Sequence, residues 1–313
     1  DDCRFSPLKD ALNHDTLTNN LENERPYTQH KNSYSAWWYC CIPTALIEKK
    51  GLPLPLFIRC DDVEYGLRCN VPFITMNGLC VWHMGFVTKY NVTFNKYQTL
   101  RNLLIGQSTT GVIPAANFIG QIYDFFRSEI MQFNYDAVEL IVRVLEDFMK
   151  GPKFIETADG EKITQENFKL NDKLVPLSEL PGGNTFRPRE SYIAPQLSFK
   201  NRVLMRLTWN GQRFFPKFLD TDEIVPISFD DSMQVQRIAL KSRLIAVNPY
   251  NETGIYRIKD KKRFRELMRR YNRVMRDYRR RGKAVRKAYA DEAKYMTSEK
   301  FWRKYLGIED GKK

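Results

Sequence analysis

Two adjacent carboxylates, Asp61 and Asp62, follow a short apolar run, Leu56-Phe57-Ile58. They open a segment with helical charge spacing, Glu64 and Arg68 four residues apart. Asp62 stands where an N-cap residue belongs. Strand formers before the pair and a helix after it describe the carboxyl edge of an α/β sheet, where ligands collect. Taken alone, the pair also reads as a plain helix cap with a solvated neighbour. His83 is a second candidate, because it ends the predicted strand Leu79-Cys80-Val81-Trp82. Neighbouring strands could bring both ends to one edge. Carboxylates and an imidazole there suit Mn²⁺ or Mg²⁺ bound through a diphosphate. One His holds no metal alone, so further ligands must come from elsewhere. By itself, a His beside a Trp is more often a packed core residue. Trp37-Trp38 is a third candidate. Adjacent strand residues point to opposite faces. One indole would be buried and the other would face the site as a stacking platform for a sugar ring.

The elements that must position these groups follow from pattern. Residues 1–33 are polar and Asn-rich and read as an extended surface segment. The aromatic run from Tyr34 predicts a strand stopped by Pro43. A short helix over Thr44 to Lys50 ends at Gly51. Short strands are expected near Phe73-Ile74-Thr75 and at Leu79–Trp82. Helices fit Phe94 to Gln107, Ala115 to Arg127 and Tyr135 to Met149. The last carries an apolar stripe, Val138, Ile141, Val142, Leu145 and Phe148, and Gly151-Pro152 stops it. Residues 156–195 hold turn signals and read as a linker. Val203–Leu207, Arg237–Leu240 and Arg243–Val247 predict strands of a small β-unit, and residues 260–306 are helical again.

At 313 residues there is room for about two domains and a sizeable core. The net charge is +13, and Lys259 to Ala290 carry 15 Lys/Arg against 3 Asp/Glu, so one segment holds nearly all of it. Adjacent Cys40-Cys41 and the lack of a CxxC pair argue against a zinc cage or disulfide framework. The six thiols are expected mostly buried and reduced, which makes the cytoplasm the expected compartment. No apolar run approaches the roughly 20 residues of a membrane-spanning helix, and no signal peptide opens the chain. Asp1-Asp2-Cys3-Arg4 reads as a cut into a longer sequence.

Four motifs in order carry a family resemblance: Trp37-Trp38; Pro53-Leu54-Pro55-Leu56-Phe57-Ile58-Arg59-Cys60-Asp61-Asp62-Val63-Glu64-Tyr65-Gly66-Leu67-Arg68; Val81-Trp82-His83-Met84; and Leu100-Arg101-Asn102. Together they resemble family 2 glycosyltransferases, and among these the polymerising galactofuranosyltransferases that use UDP-galactofuranose. The resemblance implies an α/β fold: the C-terminal half of a GT-A (Rossmann-like) domain, then a mostly helical C-terminal region with a small β-unit. The corresponding divisions are 1–115, 116–195, 196–258 and 259–313. It implies inversion, with Asp62 as general base beside Asp61, and Mn²⁺ or Mg²⁺ on the diphosphate with His83 as a ligand. It also implies acceptor contacts from Trp37, Trp38, Arg101 and Asn102. No Asp-x-Asp motif precedes the double Trp here, so the donor-binding half is expected to be missing and this stretch alone to be inactive.

The basic segment has apolar residues every three or four positions between its arginines. Arg269, Arg270, Arg273, Arg276 and Arg280 are the expected contacts to an anionic membrane surface, worth about 1 kcal/mol each. Nucleic acid is the weaker alternative, mainly because of the resemblance, and no Gly-rich RNA-binding strand or zinc module accompanies the arginines. The combined reading is a transferase peripheral on the inner face of the cell membrane. Its partners would be a UDP-sugar and a glycan or lipid-linked acceptor, with homo-oligomerisation left open. The opposing reading is a non-catalytic basic helical module.

Overall fold

The computed structural model describes residues 34, 36–71, 91–113, 118–171, 173–182, 198–214, 223–228, 237–248 and 252–308. Helices dominate. α1 (Thr44–Lys50) ends at Gly51, whose φ is 78°, and α2 (Asp61–Cys69) follows. A π-helical turn (Thr93–Gln98) runs directly into α3 (Thr99–Thr109). Then come α4 (Phe118–Met131), α5 (Tyr135–Phe148), α6 (Pro152–Thr157) and α7 (Gly160–Phe168). β1 (Val175–Pro176) and α8 (Phe199–Thr208) precede β2 (Ile224–Ser228), β3 (Arg243–Asn248) and β4 (Thr253–Ile258). The chain closes with α9 (Lys261–Met296) and α10 (Glu299–Tyr305).

The stripe read on α5 is buried, and so are Ala137, Leu140 and Val144 on its other faces. This helix is therefore the centre of the core rather than a surface element. Asn134 caps it, its side chain accepting from the Ala137 N–H at 3.3 Å. α9 is 36 residues, about 54 Å at the helical rise. Its inner stripe, Phe264, Leu267, Tyr271, Val274, Val285, Tyr289 and Met296, is buried against α3, α5 and α6. Ring stacking fixes its register: Tyr271 on Phe126 at 3.9 Å between centroids, and Tyr289 on Phe148 at 5.1 Å. One core cluster takes residues from Leu54 to Phe301.

The sheet order is β1-β4-β3-β2, with β2 and β3 parallel and the other two pairings antiparallel. This mixed sheet and the surrounding helices make an α/β chain. Several predicted elements are corrected. Residues 36–43 form no strand, and Trp37 to Tyr39 make a turn. Leu56-Phe57-Ile58 is no strand either, because the backbone turns left-handed at Ile58. Residues 156–195 are more than a linker, since the end of α6, all of α7 and β1 fall there. Val203–Leu207 is helical, within α8, and Arg237–Leu240 is a turn. β2 and β4 carry no earlier expectation. The strands expected near 73–75 and 79–82 lie outside the described residues. Cys60 and Cys69 are buried but Cys40 and Cys41 are exposed, so the expectation of mostly buried thiols holds for only two of these four.

Candidate functional site

Asp61 and Asp62 are the first two residues of α2, and the N-cap is Cys60, not Asp62. The cap is unusual. Ile58, Arg59 and Cys60 have φ of 51°, 83° and 63°, three successive left-handed non-glycine residues. Such positions cost about 1–3 kcal/mol each and persist only where their surroundings over-determine them. Ile58 is β-branched, which makes its conformation a genuine outlier.

The half-buried Asp62 carboxylate accepts from the Val63 N–H at 2.8 Å. Burial raises its pKa above the ordinary aspartate value; the N–H groups of Val63, Asp62 and Trp37 offset part of this, and the Asp61 charge adds to the rise. Trp37 thus reaches the site through its backbone, while its ring packs edge-on to Tyr65 at 5.6 Å. Burial pushes the Tyr65 hydroxyl up to about 12, so it stays protonated at neutral pH. Trp38 is 51% exposed and Tyr39 67%. Trp37 is half-buried rather than buried, and the two indoles are set by a turn and not by strand alternation. The Glu64–Arg68 pair forms, at 2.8 Å, with Glu64 fully buried.

Arg101 and Asn102 do not face solvent. Both are buried in α3. The Arg101 guanidinium lies 5.2 Å over the Tyr97 ring, whose hydroxyl donates to Asp147 at 2.5 Å. Its Nε donates to Asn102 Oδ1 at 3.0 Å. Asn102 in turn reaches the turn before α2. Pattern reading missed this role because the bond spans more than forty residues and nothing in the local spacing announces it.

His83 lies outside the described residues. Among the described residues no group of three His, Cys, Asp or Glu side chains could hold a metal ion.

On α9, Arg269, Arg273, Arg276 and Arg280 are exposed. Arg270 turns inward, donating to Glu139 at 3.0 Å and Glu146 at 2.8 Å, and so ties α9 to α5. Beside it, Lys150, Arg273, Arg276, Arg280 and Arg281 surround an open groove of about 830 Å³ floored by Met149 and Val274. Among the described residues no helix is long and apolar enough to cross a membrane.

No protein-family model matches the chain. Its similarity is to glycosyltransferases. It is 27% identical over 291 residues to galactofuranosyltransferase GlfT2 of Mycolicibacterium smegmatis, covering 90% of this chain and 45% of that protein. It is 32% identical over 146 residues to galactofuranosyltransferase GlfT2 of Mycobacterium tuberculosis, covering 44% of this chain and 23% of that one. The chain therefore spans less than half the length of these relatives.

Proposed function

We propose that the chain is the acceptor-side part of an inverting glycosyltransferase of GT-A type, moving galactofuranose from a UDP-linked donor to a glycan. The names of the relatives support the sugar. The observation that carries the chemistry is the half-buried Asp62 carboxylate at the mouth of α2, reached by the Trp37 backbone N–H, with the Trp37 ring packed on Tyr65.

In this reading an acceptor hydroxyl approaches Asp62. Its oxygen attacks the anomeric carbon of the donor as the bond from that carbon to the UDP oxygen breaks. The bonding pair leaves on the diphosphate, and Asp62 takes the hydroxyl proton. Burial strengthens Asp62 as a base, because it disfavours the bare charge. Asp61 adds negative charge next to it. Trp38 offers an exposed aromatic face to an acceptor ring. A divalent cation on the leaving diphosphate would supply charge neutralisation. The described residues provide no complete ligand set for it. The exposed arginines of α9 serve as a docking face for an anionic membrane, without Arg270.

The test is galactofuranosyl transfer by the natural protein carrying Asp62→Asn. Loss of transfer from a folded variant supports the assignment, and undiminished transfer removes Asp62 from the mechanism. Co-sedimentation with phosphatidylserine vesicles, against a gel shift with DNA and RNA, separates the membrane reading from a nucleic-acid module.

A further inference from the structure

The turn from Phe57 to Cys60 is held from four sides. Beneath it, the fully buried Asn102 points its amide at the backbone: Nδ2 donates to the carbonyls of Arg59 at 2.8 Å and Ile58 at 3.0 Å, with that of Phe57 at 3.5 Å. Its Oδ1 accepts from Arg101 Nε, which fixes which end of the amide faces the turn. At the end of the turn, the Cys60 thiol lies 3.9 Å from the Thr99 carbonyl. The Arg59 guanidinium sits 5.8 Å over the Phe94 ring. Phe57 packs on Gly160, where an added Cβ would fall 2.5 Å from its ring. Left-handed carbonyls pointing inward have no regular ladder to join, and a side-chain amide is the group that can satisfy several of them at once.

We propose that Asn102 is the positioning residue of the site: its amide holds the left-handed turn, and the turn sets where α2 begins and hence where Asp61 and Asp62 stand. This rests on the reading of Asp62 as the base. It gives Asn102 a role that involves no contact with the acceptor. The device sits outside the chemistry, so loosening it should slow the reacting step while leaving substrate affinity alone.

The direct variant is Asn102→Asp. It keeps the size of the side chain and an oxygen for Arg101 but turns an oxygen, not an amide, toward the three carbonyls. Gly160→Ala is the second variant. Its added Cβ presses on Phe57, with neither Asn102 nor the carboxylates among its near neighbours. Both are made in the natural protein beside Asp62→Asn. Hydrogen exchange is read at the Glu64 amide, which donates to the Cys60 carbonyl at 3.0 Å in the first turn of α2, and steady-state transfer is read in parallel. The expected result, for both variants, is exchange at Glu64 at least tenfold faster, kcat at least tenfold lower and KM within twofold of the parent. Folded variants with parental exchange overturn the proposal, because Asn102 then does not hold the turn. Faster exchange with parental kcat, in a protein that Asp62→Asn inactivates, overturns the positioning role and leaves the base standing. Undiminished transfer by Asp62→Asn removes the base, and the proposal falls with it.

Discussion

Replacing Arg68 with Met tests the anchoring of the helix that carries the carboxylates. Arg68 Nε bonds Glu64 Oε1 at 2.8 Å, and its Nη2 lies 3.4 Å from Oε2. Glu64 is 0% exposed, so its charge has no water to fall back on. The same guanidinium donates to the carbonyl of Lys50 and, at 2.9 Å, to that of Leu52, tying α2 to the end of α1. Those two carbonyls belong to partly exposed residues and can be rehydrated, so their loss adds little. The cost is set by Glu64. Breaking one side of a buried pair costs about 3–5 kcal/mol. At about 2–4 °C per kcal/mol for a chain of this size, the midpoint should fall by about 6–20 °C. Removing both charges, in Glu64→Gln with Arg68→Met, should recover at least about 2 kcal/mol of that loss. The assay is urea unfolding followed by circular dichroism across the double-mutant cycle. A loss below about 1 kcal/mol for Arg68→Met would refute the reasoning, since that is the worth of a solvated surface pair.

Glu129 offers a pH-dependent counterpart. Burial alone would raise its pKa, but Lys96, bonded at 2.6 Å, together with Arg257 and Asn134, holds it below the ordinary glutamate value. Its folded value lies below its unfolded one, so the stability it contributes is present at neutral pH and is lost as pH falls through the folded value. Lys96→Met should cost about 3–5 kcal/mol at pH 7 and less in acid, read by unfolding at both pH values. Gly51 has φ of 78°, and a Cβ there would fall 2.8 Å from the Thr297 carbonyl oxygen. Gly51→Ala should lower stability by about 1–3 kcal/mol, measured by the thermal midpoint. Asp62 has the opposite sign to Glu129. Its folded pKa is raised, so ionising it costs stability as pH rises from the unfolded value through the folded one. Asp62→Asn should therefore melt higher than the parent at pH 7, and an equal or lower midpoint counts against a burdened carboxylate.

The helices were the most legible part of the chain. The apolar spacing of α5, the basic run of α9 and Gly51 at the end of α1 were each readable, because caps and periodicity are local signals. The strands were less so. β2 contains Pro226, which argues against a central strand; it lies at the sheet edge, where a missing donor is tolerated. Arg237–Leu240 has strand composition, yet Asn210 donates to the Ile238 carbonyl at 3.0 Å and accepts from the Leu240 N–H at 2.6 Å. That tertiary bonding makes a turn of it. Val203–Leu207 has the apolar composition of a short strand, but Ser198 caps a helix there, accepting from the Asn201 N–H at 3.3 Å. At the site, the carboxylate pair, the double Trp and the Glu64–Arg68 pair were visible as residue types. The turn that presents the carboxylates was not, because it depends on one amide reaching across the fold, and strand propensity at Leu56–Ile58 pointed the other way.

The assignment of Asp62 as the base is tested most directly by the kcat of galactofuranosyl transfer from UDP-galactofuranose, compared between the natural protein and folded Asp62→Asn. Loss of a positioned base predicts a fall of about 10²- to 10⁴-fold. A kcat within twofold of the parent would contradict it.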